Sequence, residues 1–129
     1  MPITMLYAGA LGVVFLVLSI RVIAGRQSTK TYMGDGGNPK MLRLMRGHGN
    51  FAEYVPLVLV LMALLENSGA SHAVMHGIGA TLLAGRLLHA YTFAFSDHFL
   101  PGRFLGINLT FLALLAASGL CLWYGVKAL

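Results

Sequence analysis

The sequence predicts an all-α membrane protein, a bundle of four transmembrane helices in a single domain spanning residues 1–129. Three observations carry this. Hydrophobic residues make up 57% of the 129 residues and charged residues only 10%, against about 25% charged in an ordinary soluble domain. The mean hydropathy is +0.76. Four helices of about 20 apolar residues each fill the chain and leave only short loops, so no separate soluble domain fits.

The first helix is expected over residues 3–24. Met1 to Ile20 carries no charge. It lacks the basic start and small-residue cleavage site of a signal peptide, so it reads as a retained span. Gly34-Asp35-Gly36-Gly37-Asn38-Pro39 then makes a loop, because Gly and Asn tolerate positive φ and Pro stops a helix. The second helix is expected over 42–66, with a kink at Pro56, which removes one backbone hydrogen bond. Asn67 to Ser71 closes it and caps a third helix over 72–95. Ser96-Asp97 through Pro101-Gly102 separates that from a fourth over 104–126. Small residues at four-residue spacing (Ala8 and Gly12, Ala73 and Gly77, Ala80 and Ala84, Ala113 and Ala117) suit close helix packing in lipid.

Charge gives the orientation. Six of the nine Lys and Arg residues, Arg21, Arg26, Lys30, Lys40, Arg43 and Arg46, lie in or beside the first loop, and Arg103 flanks the third. The second loop has Glu66 and no cation. The positive-inside rule places loops one and three in the cytoplasm and both termini on the far side, with Lys127 against the bias. The basic residues form one segment rather than a general surface pattern, so nucleic-acid binding is not expected despite a pI near 9.8. The single Cys121 excludes an internal disulfide and reads as an inert packing thiol. Trp123 and Tyr124 read as interface anchors.

The informative residues are those that do not belong in a membrane. A charged side chain at mid-bilayer costs roughly 2.5–3.5 kcal/mol on insertion scales, so it faces protein and has a partner or a function. At about 100° per residue, Arg46, Asn50 and Glu53 share one face of the second helix, and Arg86, His89 and Phe93 one face of the third. All lie toward the cytoplasmic side, as does Arg103. The plain reading is a set of structural ion pairs. Yet three arginines against one glutamate leave surplus positive charge, which an anionic ligand would balance.

These residues also carry a resemblance. Arg46-Gly-His48-Gly-Asn50-Phe-Ala-Glu53-Tyr54-Val-Pro56 resembles the R-x-x-x-N-x-x-E-x-x-P signature of the MAPEG family, the membrane-associated proteins in eicosanoid and glutathione metabolism. Gly34-Asp35-Gly36-Gly37, Gly85-Arg86-Leu-Leu-His89-Ala and Arg103-Phe-Leu-Gly106 are similar to the first loop, third helix and fourth-helix start of its bacterial members. The resemblance implies a MAPEG-like homotrimer in a bacterial inner membrane, with glutathione as co-substrate bound between neighbouring subunits on the cytoplasmic side. It implies that Arg46, Asn50, Glu53 and Arg86 hold glutathione, with His89 and Tyr91 beside them. Arg21 or Arg26 would meet a glutathione carboxylate, and Arg103 would stabilise the thiolate. The implied activity is a glutathione transferase or peroxidase acting on an apolar electrophile or lipid hydroperoxide arriving from the membrane lipids. One departure stands out: Phe93 replaces the tyrosine of the eicosanoid synthases.

Four other readings are open. One is a non-catalytic membrane protein that binds glutathione or lipid. The second is a haem electron carrier, with His48 and His89 as ligands, although His48 lies roughly 200° round the helix from Arg46. The third is a small multidrug-type antiporter using Glu53, although Arg46 would hold that carboxylate ionised. The fourth is a metal site from His72, His76 and Glu66.

Overall fold

The computed structural model describes residues 1–97 and 100–129. Four helices follow in chain order: α1 (Pro2–Thr29), α2 (Pro39–Asn67), α3 (His72–Phe95) and α4 (Leu100–Ala128). α1 runs five residues past its expected end and stops at Lys30, which adopts a left-handed conformation, φ 52°. Asn38 caps α2, its Oδ1 accepting from the backbone N–H of Lys40 and Met41. Ser71 caps α3 through Val74. α4 begins four residues earlier than expected and takes in Pro101 and Gly102, because proline has no N–H to leave unmet in a first helical turn. α2 is unbroken across Pro56.

Contacts between helix ends fix an up-down-up-down arrangement. The start of α1 meets the end of α2 through Thr4 and Glu66. The starts of α1 and α3 meet through Tyr7 and His76, and their ends through Arg21 and Ala94. α3 packs on all three other helices, whereas α1 and α4 do not touch among the described residues. α1, α2 and α4 are each long and apolar enough to cross a membrane. α3 is not by itself apolar enough, since it carries Arg86 and three histidines. Its Arg86, His89 and Thr92 are buried against protein, whereas His72 and His76 at its start are exposed.

The core is apolar, with Leu11, Leu18, Val58, Met62, Leu65, Met75 and Leu82 all at most 2% exposed. The outer surface is apolar as well, including Val13, Leu16, Val60, Leu115 and Leu122. Inside and outside therefore differ in packing rather than in hydrophobicity, as a lipid-facing bundle requires.

Of the four expected small-residue pairs, only Ala113 and Ala117 are buried. Gly12 and Gly77 face open space. The closest helix approach uses a different pair. A Cβ on Gly85 would lie 2.8 Å from the carbonyl oxygen of Gly106, and one on Gly106 the same distance from Gly85 O and His89 N. This crossing seats α3 against α4 just below His89.

Candidate functional site

The end of the bundle bearing the first and third loops contains an open cleft of about 460 Å³. α2 supplies Pro39, Leu42, Arg43, Arg46 and Asn50, α3 supplies His89 and Phe93, and α4 supplies Arg103 and Ile107. Helical spacing explains the α2 wall: positions 39, 42/43, 46 and 50 recur every three to four residues and so line one face.

Gly47 lets the walls close. A Cβ there would fall 2.5 Å from the Cβ of Phe93. Phe93 in turn organises the floor. His89 stacks on its ring at 4.4 Å, and the Arg103 guanidinium lies over it at 5.4 Å. Arg103 has no carboxylate partner among the described residues, so its charge is available to a ligand.

Arg86 is fully buried behind this wall. Its Nη1 donates to Asn50 Oδ1 at 2.9 Å. A guanidinium only donates, so this bond fixes which way the amide faces. The Asn50 amino group takes no part in this bond, and Asn50 lines the cleft. Nε and Nη2 of Arg86 have no hydrogen-bond partner among the described residues.

Arg46 and Glu53 stand at the rim, with Arg46 Nη1 3.7 Å from Glu53 Oε1 and both side chains more than half exposed. The pair is loose and open, a surface contact worth at most about 1 kcal/mol. It does not lock two helices together, since both partners belong to α2.

The structure thus brings Arg46, Asn50, His89 and Arg103 together around the cleft, with Glu53 at its edge and Arg86 behind it. It does not bring Arg21, Arg26 or Tyr91 there. Arg21 donates through Nε and Nη2 to the carbonyl of Ala94, at 3.0 and 2.6 Å, and sits over the Phe95 ring. Arg26 donates to the carbonyls of Thr31 and Gly34 and so braces the first loop. Tyr91 stacks on Phe95 on an exposed face. Sequence reasoning missed Arg43, which lies one turn before Arg46; the same i, i+3 spacing that grouped Arg86 with His89 would have found it.

The rival constellations do not assemble. His48 bonds Ser19 at 3.1 Å and stacks on Phe15, facing α1, while His89 faces the cleft, so the two imidazoles serve different interfaces. Glu66 accepts from Ile3 N, Thr4 N and Thr4 Oγ1 at 2.6–3.0 Å and so caps α1, and His76 meets the hydroxyl of Tyr7. Among the described residues no three His, Cys, Asp or Glu side chains come together as a metal site. Cys121 donates to the carbonyl of Leu61 at 3.5 Å, a packing contact within the bundle.

The fold and the cleft define a four-helix membrane protein with an arginine-rich site at one end of the bundle. The MAPEG family model matches residues 4–123, and the chain belongs to the MAPEG family. It is 35% identical over 122 residues to the inner membrane protein YecN of Escherichia coli K12, covering 95% of this chain and 92% of that protein. The YecN of Escherichia coli O6:H1 matches to the same degree. No solved structure gives a significant match.

Proposed function

We propose that this protein binds glutathione in the arginine cleft and uses its thiolate as a nucleophile toward apolar electrophiles or lipid hydroperoxides. The observation that carries the reading is the convergence of Arg43, Arg46 and Arg103 on a cleft that also presents Asn50 and His89, with Glu53 at the rim. Glutathione carries two carboxylates, one ammonium and a thiol. The arginines match the carboxylates, Glu53 matches the ammonium, and Asn50 can donate to a peptide carbonyl. Arg21 and Arg26, which face away from this cleft, would act from a neighbouring subunit of a homotrimer. The basic end of the bundle would face the cytoplasm, and the membrane would be the inner membrane, the location in the name of YecN.

Arg103 is the residue assigned to the chemistry. A thiol with a pKa near 8.5 is about 3% ionised at pH 7. A neighbouring guanidinium that lowers this pKa by about two raises the ionised share to about 75%, a stabilisation of ~2.7 kcal/mol. The thiolate then attacks carbon and expels the leaving group. Alternatively it attacks the terminal hydroperoxide oxygen, releasing the alcohol and leaving a sulfenate, which a second glutathione converts to the disulfide and water. Difference absorbance of the thiolate on adding glutathione tests this. The wild type is expected to show the thiolate band at pH 7 and Arg103→Ala to lose it while still binding. Equal bands in both proteins would remove Arg103 from this role.

Binding without turnover is the second reading, and Phe93 favours it. The lining of the cleft contains no hydroxyl group among the described residues, so one hydrogen bond that could orient a thiolate is missing. Turnover of a model aryl halide or of cumene hydroperoxide with glutathione separates the two readings.

A further inference from the structure

We propose that Asp97 is a built-in competitor for the anion site. Its carboxylate pairs with Arg43 in the place that a ligand carboxylate takes, so Arg43 is held by Asp97 until a ligand displaces it. This rests on the cleft being an anion site, the reading given above.

Arg43 stands where two spaces meet. It lines the main cleft and also an adjoining pocket of about 110 Å³ that contains Asp97 and Arg103. Its Nε donates to the carbonyl of Phe93 at 3.2 Å, which fixes the direction of the arm. Its Nη2 pairs with Asp97 Oδ1. The two partners differ in exposure: the Arg43 side chain is 26% exposed and that of Asp97 is 70%. The carboxylate can swing into solvent, whereas the guanidinium stays tethered to Phe93. Displacing Asp97 therefore leaves a positioned cation with a vacant fork.

Charge supports the assignment. Arg43, Arg46 and Arg103 line the two spaces, and Asp97 is the one acid among their described lining residues. Without a ligand, Asp97 offsets part of that charge. An incoming anion has to displace it and then gains a bidentate partner. An ion pair this exposed is weak, so a ligand that also contacts Arg46 and Arg103 outcompetes it. The result is an affinity lowered at rest, and a site that selects ligands bearing two anionic groups over those bearing one.

The test measures binding to detergent-purified protein by calorimetry, at fixed ionic strength, with two probes: glutathione and inorganic sulfate. The proteins are wild type, Asp97→Asn, Asp97→Ser, Arg43→Gln and the Arg43→Gln/Asp97→Asn pair, each first checked for an unchanged unfolding midpoint. Both Asp97 variants are expected to bind either probe roughly two- to five-fold more tightly, the range an exposed ion pair of up to about 1 kcal/mol allows. Arg43→Gln is expected to bind more weakly, and the gain from Asp97→Asn is expected to vanish in the double variant. Glutathione binding that is unchanged in both Asp97 variants would overturn the competitor and leave the glutathione reading intact. A gain that persists without Arg43 would also overturn it, since the effect would then be general charge. The expected pattern with sulfate, and no glutathione binding in any protein, would uphold the competitor and end the glutathione reading. Binding of neither probe would end both.

Discussion

Arg86 donates to Asn50 across the α2–α3 interface at 2.9 Å, from a position with no solvent exposure. One bond thereby joins the most buried cation of the bundle to the wall of the cleft. Two further nitrogens of the same guanidinium are unpartnered among the described residues, so stability and ligand orientation pull apart at this residue.

Arg86→Met is expected to separate them. A hydrogen bond from a charged donor contributes about 1.5–3 kcal/mol. Burying a cation with unmade hydrogen bonds costs several kcal/mol. The two nearly cancel, so the unfolding midpoint in detergent is expected to change little. Asn50 loses its fixed orientation, and glutathione affinity is expected to fall several-fold. A large drop in the unfolding midpoint would show that the bond is chiefly structural.

Gly106→Ala is expected to destabilise the protein by about 2 kcal/mol or more, because its Cβ would meet the backbone of Gly85 and His89 at 2.8 Å and backbone cannot step aside. Gly119→Ala, in open space on the same helix, is expected to be neutral or to stabilise by a few tenths of a kcal/mol. Thermal unfolding of the two variants side by side checks the contrast, and equal effects would contradict the crossing described.

The four-helix fold was legible because apolar runs and turn residues are local signals: Ser71 caps α3 as expected, while α2 starts at Pro39, three residues before its expected start, because Asn38 caps it and Pro39 fits a first helical turn. The residues of the cleft were legible where they follow one helix face, as with Arg46 and Asn50. What spacing does not carry is which faces meet. Ala8, Gly12, Ala73 and Gly77 have the pattern of a tight crossing, yet the crossing forms at Gly85 and Gly106, a choice made by the pairing of whole helices. The family resemblance puts Arg21 or Arg26 in the ligand set, but within this chain Arg21 reaches the backbone of Ala94 instead. The role of Glu66 was hidden for the same reason: the N–H groups it accepts from lie 63 and 62 residues earlier in the chain.

Glu66→Ala is expected to cost about 1–3 kcal/mol. It strips the acceptor from two backbone N–H groups at the start of α1 and from the hydroxyl of Thr4, and N-terminal caps contribute about 0.5–2 kcal/mol. Amide hydrogen exchange over residues 3–7 is expected to speed up selectively. Unchanged protection there would contradict the cap.

Phe93→Tyr adds a hydroxyl to a ring that lines the cleft. If that hydroxyl meets a bound ligand, affinity for glutathione is expected to rise by about 0.5–1.5 kcal/mol, the usual net contribution of one hydrogen bond. Calorimetry against wild type reads this directly, and a weaker complex would show that the added hydroxyl meets no ligand acceptor and disturbs the site.

The most direct test of the central claim is calorimetric titration of glutathione into folded, detergent-purified protein beside Arg46→Ala. Saturable binding to wild type that weakens at least several-fold in the variant is the predicted result, since Arg46 stands at the rim of the cleft and its only described partner is the loosely held Glu53. No binding to wild type at millimolar glutathione, or equal binding to both proteins, would contradict the assignment of glutathione to this cleft.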